Sequence, residues 1–260
     1  MGLLGPSDAL PVEVINEDGG AQILIICDHA SNAVPSKLNK LGLNDETLAK
    51  HVGWDIGAAK IARRLSGSLD ATAVLAGFSR LVIDVNRHPE QPTSIPEMVD
   101  GIEIPGNKSL SDADRILRTK ELFCSYHLKI SNIIASLRDR GVAPALFSVH
   151  TFTPSLNGKD RPWDIGVLWN QDPRIAEMLI SQLRQNPNNL VVGDNLPYSG
   201  SDFAYSLDIH AGTSGLPNCA VEIRQDLADT DDHIAYWVDI LTEVLNKIIN
   251  QPYIHRVKHY

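Results

Sequence analysis

The chain has 260 residues, 43% of them hydrophobic and 21% charged, an ordinary globular balance with ample material for a core. A formal charge of −9 and an isoelectric point near 5.4 exclude non-specific nucleic-acid binding, which needs a basic footprint. They leave room for an anionic substrate, because a few arginines can dominate the field inside a cleft whatever the net charge.

The longest apolar run, Ile23 to Cys27, is far too short to span a bilayer, and the chain does not open on a positive segment followed by an apolar stretch. The expectation is a cytoplasmic protein with no membrane partner. Cys27, Cys124 and Cys219 are odd in number, widely spaced and without a CxxC pair. They read as buried small residues of a reducing compartment.

In chain order, residues 1–20 form a polar entry segment with a short edge strand at Val12 to Ile15. Gln22 to Cys27 is a continuous apolar run of the kind found in a buried parallel strand. Leu48, Val52, Ile56, Ala59, Ala62 and Leu65 recur at helical spacing, which predicts a helix over Glu46 to Leu65. Thr72 to Ala76 and Leu81 to Val85 predict strands. His88 to Gly106 is proline-rich and reads as a loop. Ser111 with Asp114 marks a helix start, and Gly141 ends the long helix that follows.

Ala145 to Val149 and Ile165 to Trp169 are predicted strands. Asp172-Pro173 opens a helix that runs to about Gln185. A strand over Cys219 to Ile223 and a last helix over His233 to Asn250, entered through Asp231 and Asp232, complete the pattern. Strands alternate with helices and no linker divides them. The prediction is one α/β domain over residues 1–260, with a mostly parallel, mixed central sheet and helices on both faces in three layers.

In such sheets the chemistry collects beyond the carboxyl ends of the strands. Two predicted strands end on histidines, His29 after Cys27-Asp28 and His150 in Ser148-Val149-His150. Each taken alone is equally a residue that hydrogen-bonds loop backbone. Two at strand ends of one sheet point to a metal, because imidazole is a favoured Zn²⁺ ligand. His51 and Asp55 are four residues apart on the predicted helix. They are either a local helix pair or a ligand and the group that orients it. Arg80, Asn86 and Arg87 flank the Leu81 to Val85 run, where an arginine either faces the cleft or pairs with a carboxylate such as Asp84. Glu222 lies among β-branched residues. It is either a base for a metal-activated water or the partner of Arg224 on one strand face.

Five ordered segments resemble the N-formylglutamate amidohydrolase family: DHASNAVP from Asp28, HVGWDIGA from His51, SRLVIDVNR from Ser79, SVHTFTP from Ser148 and VEIRQDL from Val221. That family is similar in turn to zinc carboxypeptidases. The resemblance implies a carboxypeptidase-like fold and one Zn²⁺ per chain held by His29 and His150. It further implies a carboxylate grip from Asn86 and Arg87, and Glu222 as general base. The carboxypeptidase pattern has a glutamate three residues after the first histidine, and here that position is Asn32. The third ligand is therefore expected from His51 or Asp55. The NLPYSG segment with Tyr198, and His210 in IHAG, also look like family features. They are expected to shape the acyl pocket and to bind substrate or the oxyanion.

The expected site thus has Glu222 and His210 as catalytic groups. Arg80, Asn86, Arg87, Tyr198 and Arg224 are substrate binders, and His29, His150, His51 and Asp55 supply the metal ligands. The expected reaction is hydrolysis of a short N-acyl amide on an amino acid such as N-formylglutamate. An exopeptidase-like or cell-wall amidase of the same fold, and a metal-free carboxylate-binding protein, are the alternatives. The oligomeric state stays open.

Overall fold

The structure is a computed structural model. It describes residues 2–141, 143–156 and 158–260, and of Phe203 the backbone only. Its centre is a seven-stranded sheet in the order β1-β3-β2-β6-β11-β9-β10. The strands are β1 (Val12–Ile15), β2 (Ile23–Cys27), β3 (Thr72–Ala76), β6 (Ala145–Phe152), β9 (Ile165–Leu168), β10 (Val192–Asp194) and β11 (Asn218–Arg224). Two small hairpins, β4 (Met98–Val99) with β5 (Ile102–Glu103) and β7 (Ser155–Leu156) with β8 (Lys159–Asp160), lie outside it. The pairings β2–β3, β2–β6, β6–β11 and β9–β10 are parallel, whereas β1–β3 and β9–β11 are antiparallel. The sheet is mixed and mostly parallel, as the sequence predicts.

The helices are α1 (Asp45–Leu48), α2 (Ala58–Leu69), α3 (Asp112–Arg118), α4 (Cys124–Asp139), α5 (Arg174–Arg184), α6 (Gly200–Phe203), α7 (Tyr205–His210) and α8 (Asp231–Ile249). Every residue of β2 is buried because both faces of the sheet are covered. Ile23, Ile25 and Cys27 pack with α2, α5 and α8 on one face. Leu24 and Ile26 pack with α4, α7 and the 78–85 segment on the other. Each such side chain withdrawn from water contributes about 1.5–3 kcal/mol. The caps read from sequence are present: Ser111 accepts from Asp114 N, and Gly141 takes φ 83° after α4. Among the described residues no helix is long and apolar enough to cross a membrane.

Four expectations need correction. The helix predicted over Glu46 to Leu65 is two helices parted by a turn through residues 49–57. Gly57 makes that break, with φ 87° and a backbone so close to the Ala228 carbonyl that a Cβ would sit 2.2 Å from its oxygen. Leu81 to Val85 is buried but is not a strand, since β1 already occupies that edge of β3. Side chains satisfy its carbonyls instead. Asn107 Nδ2 donates to Leu81 O, Arg118 Nη1 to Val82 O and His127 Nε2 to Val85 O, at 2.8, 3.0 and 2.9 Å.

The loop over His88 to Gly106 contains the β4–β5 hairpin, turned by Asp100 and Gly101 at φ 47° and 76°. Cys27 and Cys219 are buried, but Cys124 is exposed on α4. The sequence reading also missed β10, α6 and α7, each too short for hydrophobic periodicity to register.

Candidate active site

The central strands deliver their polar residues to one end of the sheet. Strand β2 stops at Cys27 and hands over Asp28 and His29. The late part of β6 presents His150, and Glu222 of β11 stands directly across the ladder from it. The turn between α1 and α2 adds Asp55, tied down by its N–H to the His29 carbonyl at 3.0 Å.

These residues converge. Asp55 Oδ2 lies 2.8 Å from His150 Nδ1 and 3.3 Å from His29 Nδ1. All three groups are buried, with one ligand atom from each within 4.8 Å of the others. The outer ring nitrogens are also engaged, His29 Nε2 by Asp84 Oδ1 at 2.8 Å and His150 Nε2 by Asp28 Oδ2 at 3.0 Å. With the Nε2 protons directed at Asp84 and Asp28, the two Nδ1 atoms that now face Asp55 are the ones that would turn to a cation once their protons left. This is the arrangement of histidines that ligate a metal with carboxylates behind them. The donor set, two imidazoles and a carboxylate, fits a metal ion of the zinc class.

The electrostatics agree with mutual dependence. Burial alone would drive the three carboxyls up. The charges and hydrogen bonds of His29 and His150 instead hold Asp55 well below the usual carboxylate range, and His150 with His29 and Ser206 holds Asp28 at about 2. Asp84 is likewise held low by His29, Arg80 and Arg87 against its burial. Burial opposes charge on His150, but its bonds to Asp28 and Asp55 raise it well above the ordinary histidine value. Burial and Arg80 push His29 down, and Asp84 with Asp55 outweigh them, so the net direction is up. A cation replacing those protons would meet carboxylates already in place.

Glu222 is different. Burial is the leading cause that pushes its carboxyl up to about 7, and its buried Oε2 has no hydrogen-bond partner. It lines the cleft beside His29 and His150. The alternative Glu222–Arg224 pair does not form: Arg224 Nε donates to Asp226 at 2.8 Å, and its guanidinium sits 3.5 Å from Asp164.

At the cleft's other wall, Arg80 reaches Asp55 Oδ1 at 3.4 Å and Asp84 Oδ2 at 3.1 Å. Arg87 Nε donates to the same Asp84 oxygen at 3.2 Å. Asn86 Oδ1 accepts from the Ser206 N–H at 2.9 Å, and Tyr198 accepts at its hydroxyl from Arg161 at 2.8 Å. Arg80, Asn86, Arg87 and Tyr198 all line the cleft.

Three expected site residues lie elsewhere. His51, in the turn between α1 and α2, pairs with Asp100 at 2.9 Å. His210 points from α7 toward α4, where its Nε2 meets His127 Nδ1 at 2.8 Å. Burial, with His127 beside it, lowers its pKa to about 4. Arg224 serves the acidic pair just described. Asp28 and Ser206 were not anticipated. Ser206 Oγ donates to Asp28 Oδ1 at 2.7 Å across 178 positions, a relationship with no local signal. Asp28 could have been noticed as the polar neighbour of a strand-end histidine.

The chain belongs to the N-formylglutamate amidohydrolase family, whose model matches residues 21–228, a stretch that contains every cleft residue named here. The crystal structure of gene product Atu2144 from Agrobacterium tumefaciens is similar at 35% identity and a TM-score of 0.91, over 95% of this chain and 98% of that one. The N-formylglutamate amidohydrolase from Ralstonia eutropha JMP134 shares the fold, with 17% identity and a TM-score of 0.65 over 97% and 96% of the two chains. No curated protein matches the chain.

Proposed function

We propose that the protein hydrolyses the amide of a short N-acyl amino acid, such as N-formylglutamate, to the free acid and the amino acid, with one zinc ion per chain held by His29, Asp55 and His150. The observation that carries this reading is the convergence of a ring nitrogen from each of two histidines and a carboxylate oxygen within 4.8 Å, beside a buried carboxyl and two arginines. Asp55 takes the part that Asn32 cannot, since a neutral amide is a poor zinc ligand. When bound, the ion supplies Lewis-acid polarisation of the amide carbonyl and acidifies a water beside it.

The chain's own residues do the rest. Asp84 and Asp28 hold the two imidazoles in register through their Nε2 protons. Arg87 and Asn86 grip the substrate carboxylate, which fixes the amide over the cluster and removes much of the entropic barrier. Glu222, in its ionised form, takes a proton from the attacking water and returns it to the departing nitrogen. Burial of its carboxyl keeps its proton affinity close to neutral pH, as a base that must also act as an acid requires. Arg80 offsets Asp55 and Asp84, so the cleft can accept an anion beside two buried carboxylates.

The deciding experiment is elemental analysis of protein purified without chelator, with formate release from N-formylglutamate measured on the same preparation. About one zinc per chain and zinc-dependent formate release are expected. Activity that survives complete removal of metal would overturn the reading.

A further inference from the structure

His127 on α4 and His210 on α7 form a buried pair behind the cleft, and neither is among the residues that line it. We infer that this pair positions the substrate-binding segment. His127 holds the carbonyl of Val85 and so sets where Asn86 and Arg87 stand, and His210 keeps the His127 proton on the nitrogen that does it. The inference rests on the reading above, in which Asn86 and Arg87 grip the substrate carboxylate.

Three observations carry it. The first is the lack of a ladder. Residues 81–85 form no strand, so their carbonyls depend on side chains. Val85 is the last of them, and His127 Nε2 meets its oxygen at 2.9 Å. The grip begins on the next residue, where the Asn86 N–H turns onto Asp84 Oδ1 at 2.9 Å. His127 is thus the anchor that stands nearest to the grip along the chain.

The second is closure. The Ser206 N–H, near the start of α7, donates to Asn86 Oδ1 at 2.9 Å. One turn later on the same helix, His210 Nε2 meets His127 Nδ1 at 2.8 Å. A closed ring through Val85, His127, His210, Ser206 and Asn86 therefore ties α4, α7 and the grip to one another. Phe123 lies against the His127 ring, with centroids 4.2 Å apart, and confines it.

The third is direction. A carbonyl oxygen only accepts, so the bond to Val85 needs its proton on His127 Nε2. His127 Nδ1 is then an acceptor and His210 Nε2 its donor. That leaves His210 Nδ1 to accept from the Ser131 hydroxyl, 3.4 Å away. One tautomer of each ring satisfies every contact. Burial lowers the pKa of both rings, that of His210 to about 4 with His127 beside it. The pair is then uncharged near neutral pH, as two nitrogens that share one proton require.

The test substitutes each histidine in two ways in the full chain. His127→Leu removes the donor to Val85, whereas His127→Gln keeps an amide N–H of similar reach. His210→Leu removes the group that fixes the tautomer, and His210→Gln restores a donor. Calorimetry gives Kd for N-acetyl-L-glutamate in the slowed Glu222→Gln background. KM and kcat for N-formyl-L-glutamate, with zinc content, are measured on the protein that retains Glu222. His127→Leu should raise KM and Kd about tenfold, the scale of a charge-assisted contact pulled out of line, with kcat and zinc retained. His210→Leu should raise both by less, and each glutamine variant should recover most of the loss. Ser66→Ala is the control. It deletes a buried 2.6 Å bond to the Ala71 carbonyl at the other end of the sheet, and should lower the melting temperature while KM and Kd stay put.

A Kd that moves no more in His127→Leu than in Ser66→Ala would overturn the inference, and so would zinc lost in step with affinity. Should His127→Leu fail to fold, His210→Leu against His210→Gln makes the same comparison, and equal Kd values there would overturn it. Binding that follows the two histidines without any formate release would uphold the positioning role and sink the hydrolytic reading. Formate release with binding indifferent to both histidines would do the reverse. Neither binding nor cleavage of these N-acyl amino acids by any of the proteins would end both.

Discussion

Nδ1 of His150 lies 2.8 Å from Oδ2 of Asp55, two residues 95 positions apart in the chain. One sits on the sixth strand and the other in a turn that interrupts an otherwise helical stretch. Their approach, with His29 on the same carboxylate oxygen, groups Asp55 with the two histidines as residues that could hold one metal ion. It also makes a sharp division between Asp55 and His51 testable.

Asp55→Asn and His150→Ala should each reduce zinc from about one ion per chain to a small fraction, with activity falling in parallel, because a three-ligand site loses an anionic or imidazole donor. His51→Ala should keep its zinc, since His51 pairs with Asp100. Metal analysis of the three variants in one buffer checks this. Zinc lost from His51→Ala and kept by Asp55→Asn would reverse the assignment.

In the proposed site Asp28 would act on the metal only through His150. Asp28→Asn should weaken zinc binding by about 10–100-fold without removing a ligand, as loss of an outer carboxylate does. Ser206→Ala, which deletes the 2.7 Å bond that holds Asp28, should move affinity the same way by less. Competition against a chromophoric chelator measures both. Unchanged affinity in Asp28→Asn would show the contact to be incidental.

Arg87→Lys keeps the charge and loses the planar fork. The expected loss is about 2–3 kcal/mol in kcat/KM, the scale of a charge-assisted hydrogen bond, and it should appear mainly as a raised KM. Steady-state kinetics on an N-acyl amino acid and on its amide-capped analogue separate carboxylate binding from general damage. The capped analogue should be poor for wild type and little affected by the substitution.

Glu222→Gln should bind zinc and substrate but turn over about 10²–10⁴-fold more slowly, the worth of proton transfer. The pH profile supplies the sign. Glu222 is driven up to about 7 by burial, and only its ionised form accepts a proton, so wild-type kcat/KM should fall as pH drops below that value and level off above it. A bound cation moves the limb to lower pH and leaves its direction unchanged. The limb should be missing from the residual activity of the variant. A carboxyl whose folded pKa is raised costs the fold stability as pH rises between its unfolded and folded values. The Glu222→Gln variant, neutral at that position, is free of this cost, and its melting temperature at pH 8 should be no lower than that of wild type. A stable, zinc-loaded variant with near-normal kcat would end the role assigned to Glu222.

Periodicity and strand-end chemistry made much of this protein legible without coordinates. The buried run of Ile23 to Cys27 has to be a central strand, since five consecutive fully buried apolar residues need cover on both faces, and His29 follows from where that strand stops. His150 was readable as a histidine at the end of a predicted strand, and Glu222 as a carboxylate set among β-branched residues. The sequence could not choose between His51 and Asp55. A spacing of four would place both on one helical face, but residues 49–57 are a turn rather than helix, and His51 pairs with Asp100 while Asp55 meets His150. Leu81 to Val85 looks like a strand because apolar character alone does not say whether a neighbouring strand is available, and the edge of β3 is already taken by β1. Asp28 on Ser206, and His210 on His127, join residues far apart in the chain. A local pattern carries no information about such distant pairs, so packing of the helices against the sheet decided which histidines face the cleft and which stand behind it.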